Sequence, residues 1–93
     1  MRTLCVVGFM AWVLWAAERG AWEPVGGDDS AAGCYAMLER AIEGARADAA
    51  RDKYTDFARL GNSFIERRRV DDQGNPASAR RIEYRCLPSP IQP

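Results

Sequence analysis

Residues 26–50, GGDDSAAGCYAMLERAIEGARADAA, contain the clearest structural signal in the sequence. The turn-forming GGDDS places Asp29 or Ser30 where a side-chain oxygen can accept hydrogen bonds from the first helical amides. Apolar residues then recur at helical spacing, which predicts an amphipathic helix with one buried stripe. The stripe consists of Cys34, Leu38, Ile42, Ala45 and Ala49.

The segment before this helix, AWVLWAAERGAWEPV, predicts a pair of strands. Side chains alternate between the faces of a strand, so Trp12 and Trp15 are expected on opposite faces. Gly20 supplies the turn, and Pro24 confines the second strand, Trp22–Val25, to an edge of the sheet because it has no amide hydrogen to donate.

After the helix, KYTDFARLGN leaves two interpretations open. The segment either extends the helix with Tyr54, Phe57 and Leu60 turned inward, or passes through a short break. Gly61 and Asn62 end it in both cases.

Near the C-terminus, SFIERRRV and ARRIEYRCL flank DDQGNPAS, which has the composition of a hairpin loop and predicts two antiparallel strands. The segment LPSPIQP cannot continue a strand, so residues 89–93 are expected to form an extended tail. The prediction is one α+β domain over residues 12–88. In it, a small antiparallel sheet of about four short strands, in the order β-β-α-β-β, is covered by one amphipathic helix.

The three cysteines, Cys5, Cys34 and Cys86, have no C-x-x-C pair and no metal-like spacing. Alternation on the last strand turns Cys86 toward the helix, and Cys34 lies in the buried helical stripe, which predicts a disulfide between them. The alternative is a pair of buried free thiols. We predict no metal site and no cofactor, since histidine is also absent.

The first residues of the sequence predict a targeting signal. Thr3 to Ala17 is uncharged, too short to span a bilayer and longer than an ordinary strand. We interpret residues 1–11 as a signal peptide or its remnant, which leaves two cysteines in a chain sent to the periplasm or secreted. One alternative is an uncleaved membrane anchor formed by residues 3–17, and another is a buried segment of a cytoplasmic protein.

Charge and residue type limit the function. The chain has 13 basic and 13 acidic residues, and its serines have no histidine to activate them. We therefore predict no enzyme and no catalytic residues. The hairpin is locally basic, and its candidate anion contacts are Arg67, Arg69, Arg81 and Arg85. The alternative is that these arginines cover the sheet and protect an edge; nucleic acid is disfavoured by the neutral net charge.

The aromatic candidates for stacking a ligand are Trp12, Trp15 and Trp22. Their alternative role is packing in the core and along the sheet edge.

The layout resembles a loose group of small uncharacterised exported bacterial proteins. The shared features are a hydrophobic leader, WVLW at Trp12–Trp15, a cysteine at the start of a helix, and Y-x-C-L-P at Tyr84–Pro88. The resemblance implies a signal peptide ending before WVLW and a paired cysteine, and it implies no activity. The first hypothesis is a non-enzymatic envelope module that binds a protein or a small ligand. The alternatives are a membrane-anchored accessory peptide and an arginine-rich hairpin that binds nucleic acid.

Overall fold

The computed structural model describes residues 11–69, 73 and 76–93, and these form one sheet and one helix. The elements are β1 (Trp12–Glu18), β2 (Ala21–Asp28), α1 (Ala31–Ala50), β3 (Thr55–Leu60), β4 (Ser63–Arg69) and β5 (Pro76–Pro88). The strands are antiparallel in the order β2-β1-β5-β4-β3, and α1 contacts all five. The predicted α+β class is confirmed, with five strands in place of about four.

Strand β5 is the centre of the sheet and is thirteen residues long. Strand β1 pairs with residues 82–88 of β5, whereas β4 pairs with residues 76–83. The β1–β2 hairpin and the β3–β4 hairpin therefore lie on opposite sides of β5 and are offset along it. Each hairpin meets the rest of the sheet only through β5.

Both short hairpins have the turn residues that their geometry requires. Arg19 and Gly20, with φ of 59° and 80°, join β1 to β2 in the two-residue type I′ arrangement. Gly61, with φ of 62°, begins the turn between β3 and β4. Strand β2 is an edge strand, as Pro24 predicted.

The helical extension past residue 52 is wrong, because this segment turns and becomes β3. The Asp52 carboxylate accepts hydrogen bonds from the Tyr54 amide, at 2.9 Å, and from the Thr55 hydroxyl, at 3.1 Å. These local bonds satisfy the backbone outside the helix and end it. The Tyr54 amide also holds the pKa of Asp52 below its ordinary value. Phe57 then faces the core, while Leu60 points to the opposite face and is 51% exposed.

The core lies between α1 and one face of the sheet. Its buried members are Leu14, Cys34, Leu38, Ile42, Phe64 and Cys86, and Trp12, Met37, Ala45, Phe57, Ile82 and Tyr84 pack around them. The helical members are Met37 and the residues of the predicted stripe, except Ala49, which is buried outside this cluster. Phe57 and Phe64 stack with ring centroids 5.1 Å apart, which ties β3 and β4 to the same core.

The start of α1 is held by a short network of hydrogen bonds. Ser30 is the N-cap, and its Oγ accepts a hydrogen bond from the Gly33 amide at 3.0 Å. The Ser30 amide and hydroxyl both donate to Asp28, which lowers the pKa of the Asp28 carboxyl. A Cβ at position 33 would overlap this carboxylate, so the network requires glycine there.

The predicted disulfide is confirmed. Cys34 on α1 is bonded to Cys86 on β5, with the Cα atoms 6.1 Å apart and a sequence separation of 52. Both side chains are buried. In the chain-entropy model, closing a loop of this length stabilises the folded state by about 4 kcal/mol, a large share of the stability of a small domain.

Replacing both cysteines with alanine should lower the free energy of unfolding by about 4 kcal/mol, because the unfolded chain regains the entropy of the closed loop. Urea denaturation followed by circular dichroism measures the difference. The wild-type chain under strong reductant is the matched control and should lose a similar amount. A loss below about 1 kcal/mol in both cases would contradict a structural role for the bond.

The two glycines within α1 should respond in opposite ways to alanine. Gly44→Ala meets no atom within 4 Å and should stabilise the domain by about 1 kcal/mol through helix propensity. Gly33→Ala gains the same propensity but displaces Asp28 and disturbs the N-cap, which costs about 1 kcal/mol or more. Thermal unfolding of the two variants should therefore place Gly33→Ala clearly below Gly44→Ala, and equal stabilities would contradict the described network.

Candidate functional site

The sheet has one face that α1 does not cover. Directly opposed residues of an antiparallel pair share a face, so the strand register identifies the members. We call this surface the uncovered face and divide it into two ends. The aromatic end consists of Val13, Trp15, Ala17, Trp22, Pro24, Gly27, Arg85 and Leu87, and the basic end consists of Asp56, Ala58, Leu60, Ser63, Ile65, Arg67, Ala79, Arg81 and Glu83.

The structure separates the three tryptophans. Trp12 packs against the core on the helix side, so it does not belong to the uncovered face. Trp15 and Trp22 lie together at the aromatic end, on neighbouring strands, and both are half-buried. The indole nitrogen Nε1 of Trp15 is buried and has no hydrogen-bond partner among the residues that the structure describes.

Arg85 links the aromatic end to the centre of the sheet. Its guanidinium carbon lies 4.7 Å from the centroid of the Trp22 ring, although Arg85 is on β5 and Trp22 is two strands away on β2. The register places the small side chain of Ala17 beside Trp22, and Ala17 is only 2% exposed. The arginine side chain therefore extends across β1, and its cation is held over an aromatic ring.

Two further arginines that the sequence singled out lie at the basic end. Arg67 and Arg81 are both exposed. Arg81 is 3.8 Å from the carboxylate of Glu83, and both side chains remain about half exposed, so this pair is weak. These two positive charges are available to solvent or to a partner.

Arg69, the fourth candidate anion contact, is engaged within the domain. The register of β4 against β5 shifts between Arg68 and Arg69. Arg69 Nε lies 3.4 Å from the Asp56 carboxylate, and a terminal nitrogen donates to the Lys53 carbonyl at 2.5 Å. Its charge is thereby offset, so the structure groups Arg67, Arg81 and Arg85 and sets Arg69 apart.

Arginines that the sequence did not single out are paired on the helix side. Arg59 of β3 donates two hydrogen bonds to Glu39 of α1, at 2.7 and 2.6 Å, and this contact lowers the pKa of Glu39. Arg80 donates to Glu66 at 2.8 Å. The residue types alone did not distinguish these arginines from the others; the strand register does.

The resulting charge distribution is uneven. On the uncovered face, Arg67, Arg81 and Arg85 are opposed by Glu83, while Asp56 and Arg69 offset each other. Residues 28–50, on the opposite side of the sheet, contain five carboxylates and two arginines. Because the whole chain sums to zero, this separation is invisible in the composition.

A groove also runs between α1 and the sheet on the covered side. One cavity of about 490 Å³ is lined by Ala41, Gly44 and Ala45 of the helix and by Ile82 and Tyr84 of β5. Burial raises the pKa of the Tyr84 hydroxyl above its ordinary value. The charged groups at this groove include both signs, with Arg80 bonded to Glu66, so it shows less charge preference than the uncovered face.

Comparison of the chain with protein-family models, with curated proteins and with solved structures finds no match. Across residues 11–69, 73 and 76–93, no three His, Cys, Asp or Glu residues are grouped so that they could hold a metal ion. The described part of the chain contains no helix that is long and apolar enough to cross a membrane.

The contact between Arg85 and Trp22 can be tested by fluorescence. In a Trp12→Phe, Trp15→Phe background, Trp22 is the remaining tryptophan. Arg85→Gln should then increase acrylamide quenching of Trp22, because the guanidinium no longer shields the ring, and should lower stability by about 0.5–1 kcal/mol. Arg81→Gln is the matched control and should leave the quenching unchanged; equal quenching in both variants would contradict the contact.

Proposed function

We propose that this chain is an exported, non-enzymatic binding module that works in the periplasm or outside the cell. The Cys34–Cys86 disulfide supports this compartment, because structural disulfides persist in oxidising environments. The expected leader at residues 1–11 and the resemblance to small exported proteins point the same way. Residues 1–10 lie outside the described part of the chain.

The observation that carries the proposed binding role is the uncovered face. An antiparallel sheet that packs one face on a helix normally presents polar side chains on the other face. Here that face presents Trp15, Trp22, Val13 and Leu87 beside Arg85. Tryptophan and arginine dominate the energetics of protein interfaces, and contiguous exposed apolar surface commonly marks an interaction site.

The chemistry of this face favours binding over catalysis. Its polar groups at the aromatic end are indole N–H and guanidinium groups, which donate hydrogen bonds. At neutral pH neither acts as a general base or a nucleophile, and the two carboxylates of the face, Asp56 and Glu83, are paired with Arg69 and Arg81. The face can therefore hold an anionic or aromatic partner, and we assign it no reaction.

The alternative of a membrane-anchored peptide uses residues 3–17. Residues 12–17 of that segment form most of β1, which is paired on both sides in the sheet. This placement favours the exported module over an anchor that includes these residues.

Expression of the full coding sequence in a bacterial host, followed by fractionation and intact mass measurement, tests the proposal. We expect a chain in the periplasmic or secreted fraction that has lost its leader and whose mass is about 2 Da below that of the reduced form, because a disulfide removes two hydrogens. Cys34→Ala with Cys86→Ala is the control for this mass difference. A full-length membrane-bound chain with free thiols, or a reduced chain in the cytosol, would contradict the proposal.

A further inference from the structure

We propose that the uncovered face docks on the surface of an anionic phospholipid bilayer. This inference rests on the proposed function, because it names the partner of the same face. Trp15 and Trp22 would lie at the boundary between headgroups and acyl chains, and Arg67, Arg81 and Arg85 would contact lipid phosphates. The contact is peripheral, made by one side of a folded domain.

The aromatic end has the composition of a membrane-interface surface. Tryptophan is enriched where a bilayer meets water, because its ring is apolar and its indole N–H is polar. Trp15 and Trp22 lie on adjacent strands, flanked by Val13 and Leu87. Arg85 holds a cation beside these rings, 4.7 Å from that of Trp22. Apolar contact and phosphate pairing would therefore take place side by side.

The arginines add an electrostatic attraction that depends on lipid charge. Each basic residue near an anionic bilayer strengthens binding by about fivefold at moderate salt, so three contribute about a hundredfold. Arg67 and Arg81 are exposed, and of the three arginines only Arg81 lies close to a carboxylate in the described ion pairs. The attraction should weaken as salt screens it.

The charge separation across the domain selects the orientation. Residues 28–50, which include α1, contain five carboxylates and two arginines, and the further helix-side arginines Arg59 and Arg80 are bonded to Glu39 and Glu66, so this side attracts an anionic surface less. The opposite side carries Arg67, Arg81 and Arg85, of which Arg81 is weakly paired with Glu83. Although the net charge of the chain is zero, the uncovered face is therefore the side that an anionic surface attracts.

A second copy of the chain fits this face less well. Stacking two uncovered faces would bring the arginines of one copy against those of the other, which costs energy when charges of one sign are desolvated together. Stacking the face on α1 of another copy would match charge, but Tyr35, 44% exposed, is the one large apolar side chain that α1 exposes strongly. An anionic bilayer provides both negative charge for the arginines and an apolar interior for the tryptophans.

Tryptophan fluorescence of the oxidised full chain tests the docking geometry. Trp12→Phe leaves Trp15 and Trp22 as reporters, and the matched Trp15→Phe, Trp22→Phe variant leaves Trp12 on the helix side. With vesicles of phosphatidylcholine and phosphatidylglycerol, the first variant should shift its emission to the blue and be quenched by brominated acyl chains. The second should show neither change. The reverse pattern would overturn the proposal.

Matched charge variants test the arginines and cancel any contribution from residues 1–11. Changing Arg67, Arg81 and Arg85 to glutamine should weaken partitioning into anionic vesicles about a hundredfold. Changing Arg40, Arg46 and Arg51, on and beside α1, removes the same charge and should have little effect. With vesicles of pure phosphatidylcholine, the two triple variants should partition equally. Equal partitioning into anionic vesicles would overturn the proposal.

Three other results would also overturn it. They are salt-sensitive binding to duplex DNA without binding to vesicles, binding to polyglutamate as a model acidic polypeptide without binding to vesicles, and self-association of the chain that the uncovered-face triple variant abolishes. If the oxidised, exported chain binds no vesicles of any composition, the proposed lipid partner is wrong. The proposed function as an exported module is unaffected by that result. A reduced chain recovered from the cytosol would contradict the proposed function itself.

Discussion

The bond between Cys34 and Cys86 is the constraint on which the other contacts depend. It joins the start of α1 to the one strand that both hairpins pair with, so it connects the helix to every part of the sheet. A chain of 93 residues buries a modest core, and a covalent link across it is worth a large part of the net stability. Further along α1, contacts with the sheet such as the pairing of Glu39 with Arg59 complete the alignment.

Fixing the helix to one side of β5 also decides what the other side can do. All six buried members of the core cluster lie between α1 and the sheet. The opposite face keeps Trp15, Trp22 and three arginines without a covering element among the described residues. The same placement collects carboxylates on the helix side, so stability and surface charge have a common structural origin.

Much of this architecture could be predicted because the signals were periodic and local. The spacing from Cys34 to Ala49 predicted α1, Gly20 and Pro24 predicted a hairpin ending in an edge strand, and alternation on β5 turned Cys86 inward. The segment 53–62 was harder, since Tyr54, Phe57 and Leu60 recur every three residues as they would on a helix. Its alternating set is Thr55, Phe57 and Arg59, and the Asp52 side chain that ends α1 was the signal that could have identified β3.

The candidate site, like the fold, could be predicted from the sequence only in part. The local excess of basic residues singled out Arg67, Arg69, Arg81 and Arg85, and the structure places Arg67, Arg81 and Arg85 on one face. The register shift beside Arg69, and the Asp56 carboxylate that holds it, depend on a strand that the sequence left undecided. Trp12 and Trp15 were correctly expected on opposite faces, but which face the helix covers follows only from the whole core.

Amide hydrogen exchange of the oxidised and the reduced chain tests most directly whether the Cys34–Cys86 bond holds helix and sheet together. If the bond aligns α1 on β5, reduction should accelerate exchange in both elements together, along the whole length of α1 and in residues 82–88 of β5. Faster exchange confined to the first turn of α1, with β5 unchanged, would contradict it.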